Sequence, residues 1–238
     1  MRRRRGWAGR LAALVLLAAA IWVGVEIWTW PDVGRLATER PATTAFIERY
    51  RAQQRASGRP DRVAWAWTAY PAIAPALKRA VLVAEDIGFF SHRGFALAEI
   101  QDALEDAVRD RELPRGASTI TQQLAKNLWL SPSRSPLRKA REALLTWQLE
   151  RALSKQRILE LYLNVAEFGP GVYGVGAASR RYFGKAPADL DEGEAAQLAA
   201  ALPHPAAWHP GADSAAYRRH VAAIERRMGR AAFLWKQI

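Results

Sequence analysis

Cysteine is absent from the 238 residues, which excludes disulfide scaffolds, thiolate zinc sites and thiol nucleophiles and is compatible with an oxidising compartment. Long period-two stretches, fixed-period repeats and low-complexity tracts are also missing, so neither a large sheet nor a solenoid is expected. Acidic side chains are in deficit: 23 Asp and Glu stand against 35 Lys and Arg, a formal charge of +12. The first 30 residues hold five Arg and one acid, Glu26, so residues 31–238 keep 30 basic against 22 acidic groups, or +8. Nucleic-acid binding would suit that charge, but no recognisable reading motif accompanies it. Those 208 residues suffice for one well-buried domain with at most a small lobe.

What the chain does have begins with an Arg cluster followed by an uncharged run of 15 residues, 11–25, which the stretch through Trp30 lengthens to 20. At about 1.5 Å per residue that length just reaches a hydrocarbon core of roughly 30 Å. Trp7 lies near one end, and Trp28 and Trp30 lie at the other, where amphipathic rings suit the membrane interface. Arg on the amino-terminal side keeps that end in the cytoplasm and exports the remainder. The alternative is a cleaved signal peptide, with small residues at Ala18, Ala19 and Ala20; apolar and aromatic residues continue past them, which favours a retained anchor. The expected organisation is a cytoplasmic basic tail (1–10), a transmembrane anchor (11–30), a periplasmic spacer (31–61) with one short helix near 43–54, and a domain over 62–238.

Within that domain the apolar spacing is helical: Phe95, Ile100, Leu104 and Val108; then Ile120, Leu124 and Leu128; then Leu137, Leu144, Leu145 and Leu149. Thr119 with Gln122 and Asp191 with Glu194 form possible capping boxes, and Ser135 precedes Pro136 in a first-turn position. The Gly-rich stretch 169–176 reads as a loop, and 215–235 as a basic terminal helix. An all-α domain on a membrane stalk follows.

Three clusters could carry chemistry. In residues 85–94, Glu-Asp-Ile-Gly-Phe-Phe-Ser-His-Arg-Gly, Glu85 follows an apolar helical stretch. Desolvation there would raise its pKa toward the range a general acid or base needs, with Asp86 and His92 orienting the loop. In residues 116–127 a small-residue turn enters a helix, whose exposed N–H groups favour an anion, and Thr119, Gln122 and Lys126 share one polar face. Around 134–142, Arg134, Arg138, Lys139 and Arg141 surround the single acid Glu142. Taken singly, each is equally a solvated ion-pair face or an ordinary capped helix. Together they suggest a cleft with few carboxylates and an excess of cations, suited to a phosphate or pyrophosphate.

The order Glu-Asp-x-x-Phe-x-x-His-x-Gly (85–94), Gly-x-Ser-Thr-Ile-Thr-Gln-Gln (116–123), Arg-Lys-x-x-Glu (138–142), Lys-x-x-Ile-Leu-Glu-x-Tyr-Leu-Asn (155–164) and Arg-Tyr-Phe-Gly-Lys (181–185) resembles the five motifs of the peptidoglycan glycosyltransferases, family 51. The first motif alone fixes five identities, which chance supplies with a probability on the order of 10⁻⁴. The resemblance runs from about Arg62 to Pro210, and residues 166–169 and 202–205 are similar to the monofunctional biosynthetic branch. No Ser-x-x-Lys or Lys-Thr-Gly occurs, so the penicillin-binding transpeptidase domain of bifunctional relatives is not expected.

The resemblance implies a lysozyme-like helical fold with a head and a smaller jaw lobe, about 95–115, that dips into the membrane. It implies that Glu85 is the general base on the 4-hydroxyl of lipid II N-acetylglucosamine, that Glu142 is a second essential carboxylate, and that Lys126 and Arg134 clamp a pyrophosphate. Ser118, Thr119, Gln122, Arg138, Lys139 and Lys155 would line or support that site, and Asp86, Phe89 and His92 would orient the loop. The implied partners are lipid II, a lipid-linked glycan chain, the membrane and cell-division or elongation proteins, with no nucleic acid. The implied place is the bacterial inner membrane, single-pass, with the catalytic domain in the periplasm. A divalent metal, Mg or Mn, is expected with the pyrophosphate, its ligands unspecified, and no organic cofactor. Ala96 stands where many members have Asp and Ala117 where Gly is common; neither position is a proposed catalytic group. The rivals are a peptidoglycan-cleaving lysozyme or lytic transglycosylase, and a non-catalytic membrane-anchored wall-binding module.

Overall fold

The computed structural model describes residues 2–96, 118–133 and 135–238, and in the first helix only part of the side chains. Most of the expected jaw (97–115), Ala117 and Arg134 therefore lie outside the described residues, as do Ile100, Leu104 and Val108. Two compact units form, residues 1–32 and 33–238. The first is a single helix, α1 (Arg2–Trp28), with Leu14, Leu16, Leu17 and Ile21 exposed. No helix among the described residues is long and apolar enough to cross a membrane.

The second unit opens at Val33, well before Arg62, so most of the expected spacer belongs to the compact body. Val33 and Leu36 are buried on a 3-10 turn, and the Arg157 guanidinium donates to the carbonyls of Leu36 (2.8 Å) and Glu39 (2.6 Å). Helix α2 (Ala45–Ala56) starts where Thr44 Oγ1 accepts the Ile47 N–H. Ile47 is fully buried, and Tyr50 packs edge-on to Tyr173.

The body is built around two helices whose sequences bury nearly every side chain. Helix α3 (Pro75–Glu85) opens with Pro at its first position and buries residues 77–83. After α4 (Ile120–Trp129) and α5 (Pro136–Ala152), helix α6 (Lys155–Val165) buries residues 158, 159 and 161–165. Helix α7 (Val175–Phe183) follows, and then α8 (Glu192–Ala201), whose Ala195, Ala196, Ala199, Ala200 and Ala201 are buried; side chains that small let α3 approach closely. Helix α9 (Ala215–Arg230) packs on α3 and α8 through Tyr217, Ile224 and Met228, and α4 is flanked by α2, α5 and α6. The terminal helix stops at Arg230 and continues as a 3-10 turn, where Arg79 lies 4.1 Å from the Trp235 ring centroid.

Two expectations change. The Gly-rich stretch is a hairpin rather than a loop: β2 (Glu167–Gly169) and β3 (Val172–Tyr173) run antiparallel around Gly171 at φ +72°, and β1 (Ala64–Trp65) adds parallel to β3. Strands of two or three residues are too short to show a period of two, so the fold is mostly helical with one small sheet. On α5, Leu145 and Leu149 are buried but Leu137 and Leu144 are about half exposed. The two pairs lie on different faces of the helix, and only one of those faces meets the core.

Asn164 ties the sheet side to the helices. Its Oδ1 accepts the Thr68 N–H (2.7 Å), and its Nδ2 donates to the Thr68 and Glu160 carbonyls (both 2.8 Å). Replacing it with Ala leaves Thr68 unsatisfied in a buried site and should cost about 3 kcal/mol. That corresponds to a fall in Tm of roughly 10 °C in a thermal melt; a shift under about 2 °C would mean that water replaces the amide.

Candidate active site

Helix α3 ends at Glu85 because Asp86 adopts an extended backbone, which frees its carboxylate to grip the next element. Asp86 Oδ2 accepts the Ile120 N–H (3.0 Å), one of the donors left over at the start of α4. Its Oδ1 lies 2.9 Å from His92 Nε2, while the Gly94 N–H donates to His92 Nδ1 (3.1 Å). The second contact makes Nδ1 an acceptor, so the ring proton sits on Nε2 and faces Asp86. Gly94, at φ +86°, passes so close to α5 that a Cβ would lie 2.7 Å from Thr146 Cγ2. Its carbonyl accepts from Thr119 Oγ1 (2.7 Å). Phe89 is fully buried edge-on to Phe90 and His92. Loop 86–94 thus fastens the end of α3 to the start of α4.

That fastening sets Glu85 beside α4. Gln123 Nε2 donates to Glu85 Oε2 (2.6 Å), and Tyr162 Oη donates to Gln123 Oε1 (2.9 Å). The Glu85 carboxylate, an acceptor, fixes which way the amide points, since the flipped amide would turn an oxygen toward it, and the buried Tyr162 hydroxyl donates to the amide oxygen on the other side. Burial raises the Glu85 pKa, and the neighbouring Asp86 adds to this, while the Gln123 amide and the Lys126 ammonium pull it down.

Beside this pair opens a cavity of about 300 Å³, lined by Ser118 just before α4, by Gln122, Gln123 and Lys126 along α4, by Arg138, Lys139 and Glu142 from α5, and by Phe46, Pro132 and Ser133. Three cations there face one carboxylate. Glu142 is buried and paired with both Arg138 Nη1 (2.5 Å) and Lys139 Nζ. Lys126 makes no ion pair among the described residues. Burial, Arg138 and Lys139 lower its pKa, and Glu142 and Glu85 oppose them. Arg138 Nε is buried without a hydrogen-bond partner among the described residues. An anion with several oxygens would relieve both strains.

Not every proposed ligand-binding residue lies in this cavity. Thr119 is buried as the N-cap of α4, and its hydroxyl is occupied by the Gly94 carbonyl and the Gln122 N–H. Lys155 pairs with Glu150 (2.8 Å) and sits 4.4 Å from the Phe89 ring centroid, so it supports loop 86–94 from behind. Among the described residues no three His, Asp or Glu side chains converge as a metal site. The cavity's one carboxylate is committed to two cations, so this donor set does not fit a divalent ion held by the chain.

Three residues missing from the sequence-based site are Gln123, Tyr162 and Phe46. Gln123 stands inside the second motif, but its neighbour Gln122 carried the capping signature. Tyr162 reads as core within a run of buried positions, and Phe46 falls in the stretch read as a spacer.

The family described as Transglycosylase matches residues 53–229. A biosynthetic peptidoglycan transglycosylase of Thiobacillus denitrificans is 43% identical over 232 residues, covering 96% of this chain and 97% of that protein. Proteins of the same name from Azoarcus sp. (47% over 202 residues; 84% of this chain, 85% of that one) and Laribacter hongkongensis (39% over 224 residues; 94% and 95%) are similarly related.

Proposed function

Because the chain belongs to the transglycosylase family, we propose that it polymerises the glycan strands of peptidoglycan, with lipid II as acceptor. In this reading Glu85 takes the proton of the 4-hydroxyl of the acceptor N-acetylglucosamine. That oxygen attacks C1 of the N-acetylmuramic acid at the lipid-linked end of the growing chain. One inverting displacement forms a β-1,4 bond, breaks the C1–O bond and releases undecaprenyl pyrophosphate.

The observation that carries the reading is the cavity in which, among the described residues, Lys126, Arg138 and Lys139 face the one carboxylate of Glu142, and which is also lined by Gln123, whose amide donates to Glu85. A leaving pyrophosphate gains charge as the C1–O bond breaks, and fixed cations aimed at it act chiefly in the transition state. A cleaving enzyme must instead protonate a neutral sugar oxygen, for which a cation-rich wall is unsuited. A divalent ion, Mg or Mn, would enter on the substrate's pyrophosphate, and no step above depends on it.

The prenyl tails of both substrates keep them in a bilayer, and tethering raises the enzyme's effective concentration there. Residues 11–30 are the proposed anchor, although no helix among the described residues is long and apolar enough to cross a membrane, with the amino terminus in the cytoplasm and the domain in the periplasm. The exposed apolar side chains of α1 support it. So does α5, where Leu137, Leu144 and Trp147 are exposed and Arg151 lies 5.5 Å from the Trp147 ring centroid, a pairing suited to a lipid headgroup layer.

Two measurements test the proposal. Detergent-solubilised protein with labelled lipid II should yield lysozyme-sensitive ladders on a gel. Fragments released from purified wall, with no polymer, would replace this reading with the cleaving enzyme. The Glu85 hydrogen bond gives a pH test. Activity should rise with pH as Glu85 loses its proton, and Gln123→Met, which removes a donor that favours the carboxylate, should move that acid limb to higher pH. A limb that stays put in the variant would disconnect Gln123 from the base.

A further inference from the structure

One wall of the cavity comes from outside the family-matched residues. Phe46 lies in the first turn of α2, seven positions before that match begins, yet it lines the cavity together with Lys126 and Arg138. Its ring centroid is 6.0 Å from Lys126 Nζ. The placement is firm. Thr44 caps the helix, Ile47 beside it is fully buried, and Tyr173 Oη donates to the Phe46 carbonyl (3.4 Å). Phe46 is only half-buried, so an aromatic side chain borders space whose other walls are charged and polar side chains and Pro132.

Order along α4 shows which part of a ligand would meet that face. Gln123, which holds Glu85, lies in the first turn of α4, and Lys126, beside Phe46, lies three residues further on, about 4.5 Å along the axis. An inverting displacement needs base, attacking oxygen, C1 and leaving group in sequence. With the base at the Gln123 end and the pyrophosphate on Lys126, Arg138 and Lys139, the next group in line is the apolar chain esterified to the pyrophosphate.

We propose that Phe46 is a binding residue for the polyprenyl chain, its ring covering the isoprene units next to the pyrophosphate in both the lipid-linked donor and the released carrier. The inference rests on the function proposed above and extends it to a residue of α2. Burying roughly two methylene-sized groups against the ring is worth about tenfold in affinity. It would make the enzyme distinguish a prenyl pyrophosphate from a bare one. Because Phe46 is only half-buried, its ring can do so without a rearrangement of α2.

The test uses two probes that share the diphosphate, farnesyl pyrophosphate, in which an apolar chain is esterified to it, and inorganic pyrophosphate, which lacks the chain and keeps one more ionisable oxygen. Their dissociation constants are measured on the full chain in detergent for wild type, Phe46→Ala and Phe46→Leu. Wild type should bind farnesyl pyrophosphate at least tenfold more tightly than pyrophosphate. Phe46→Ala should lose about tenfold for the farnesyl ester and less than twofold for pyrophosphate, and Phe46→Leu should keep most of the preference. Equal loss for both probes, no loss for either, or no preference in wild type would overturn the role assigned to Phe46. Polymerisation of lipid II by the same wild-type preparation separates the outcomes. Ladders without farnesyl discrimination sink this inference alone, whereas absence of ladders sinks the function on which it rests.

Discussion

Replacing Glu85 with Gln is expected to lower kcat for polymerisation about 10³-fold, within the span that a positioned proton acceptor supplies, with KM little changed. Gln keeps the size of the side chain, and its amide oxygen can still accept from Gln123, so the geometry of α3 and α4 survives. What disappears is the group that takes the acceptor's proton. Stability should not fall. The folded pKa of Glu85 is raised by burial, so its ionised form costs stability that is fully felt above that raised value, shrinks as pH falls below it and is gone below the unfolded pKa. The Gln variant should therefore melt at or above the wild-type temperature at neutral pH. Single-turnover rates and a thermal melt check both halves. Activity within tenfold of wild type would remove Glu85 from the chemistry, and a large drop in Tm would make any lost activity a folding effect.

The second large effect is expected at Lys126. Met in its place keeps the length of the side chain and removes the charge, which should cost about 10²- to 10³-fold in kcat if the ammonium stabilises the departing pyrophosphate. Burial and two neighbouring cations lower its pKa, so the charged form is a burden on the fold below that lowered value, a burden that is lost as pH rises toward the unfolded pKa. Lys126→Met should accordingly raise Tm while it depresses turnover. It should also move the acid limb of the pH profile upward, because the ammonium is one of the two groups holding the Glu85 pKa down. Loss of activity accompanied by loss of stability would point to Lys126 as a structural residue instead.

Much of this arrangement could be read from local chemistry. Capping is a short-range event, so Thr119 with Gln122 and Asp191 with Glu194 announce their helices, and both boxes form. The i,i+4 spacing of Arg138 and Glu142 likewise yields an ion pair directly. What could not be read depends on tertiary placement. The start of the domain was hidden because Val33 and Leu36 are isolated apolar residues in a polar stretch. The Arg157 guanidinium, more than a hundred residues away in sequence, and helix α5 set where that turn docks. Phe46 was missed for the same reason. Lys155, read from the fourth motif as lining or supporting the donor site, pairs with Glu150 five residues earlier and lies against Phe89, a placement that only tertiary packing sets.

In the proposed function one site couples proton removal at Glu85 to departure of a pyrophosphate held by Lys126, Arg138 and Lys139. Its most direct test follows a single reaction of wild-type protein with lipid II and quantifies two products together, new glycosidic bonds with their anomeric configuration and free undecaprenyl pyrophosphate. The account predicts one undecaprenyl pyrophosphate for each bond formed, every bond β, and both products lost in parallel in Glu85→Gln. Release of the pyrophosphate without bond formation, or bonds of retained configuration, would contradict it.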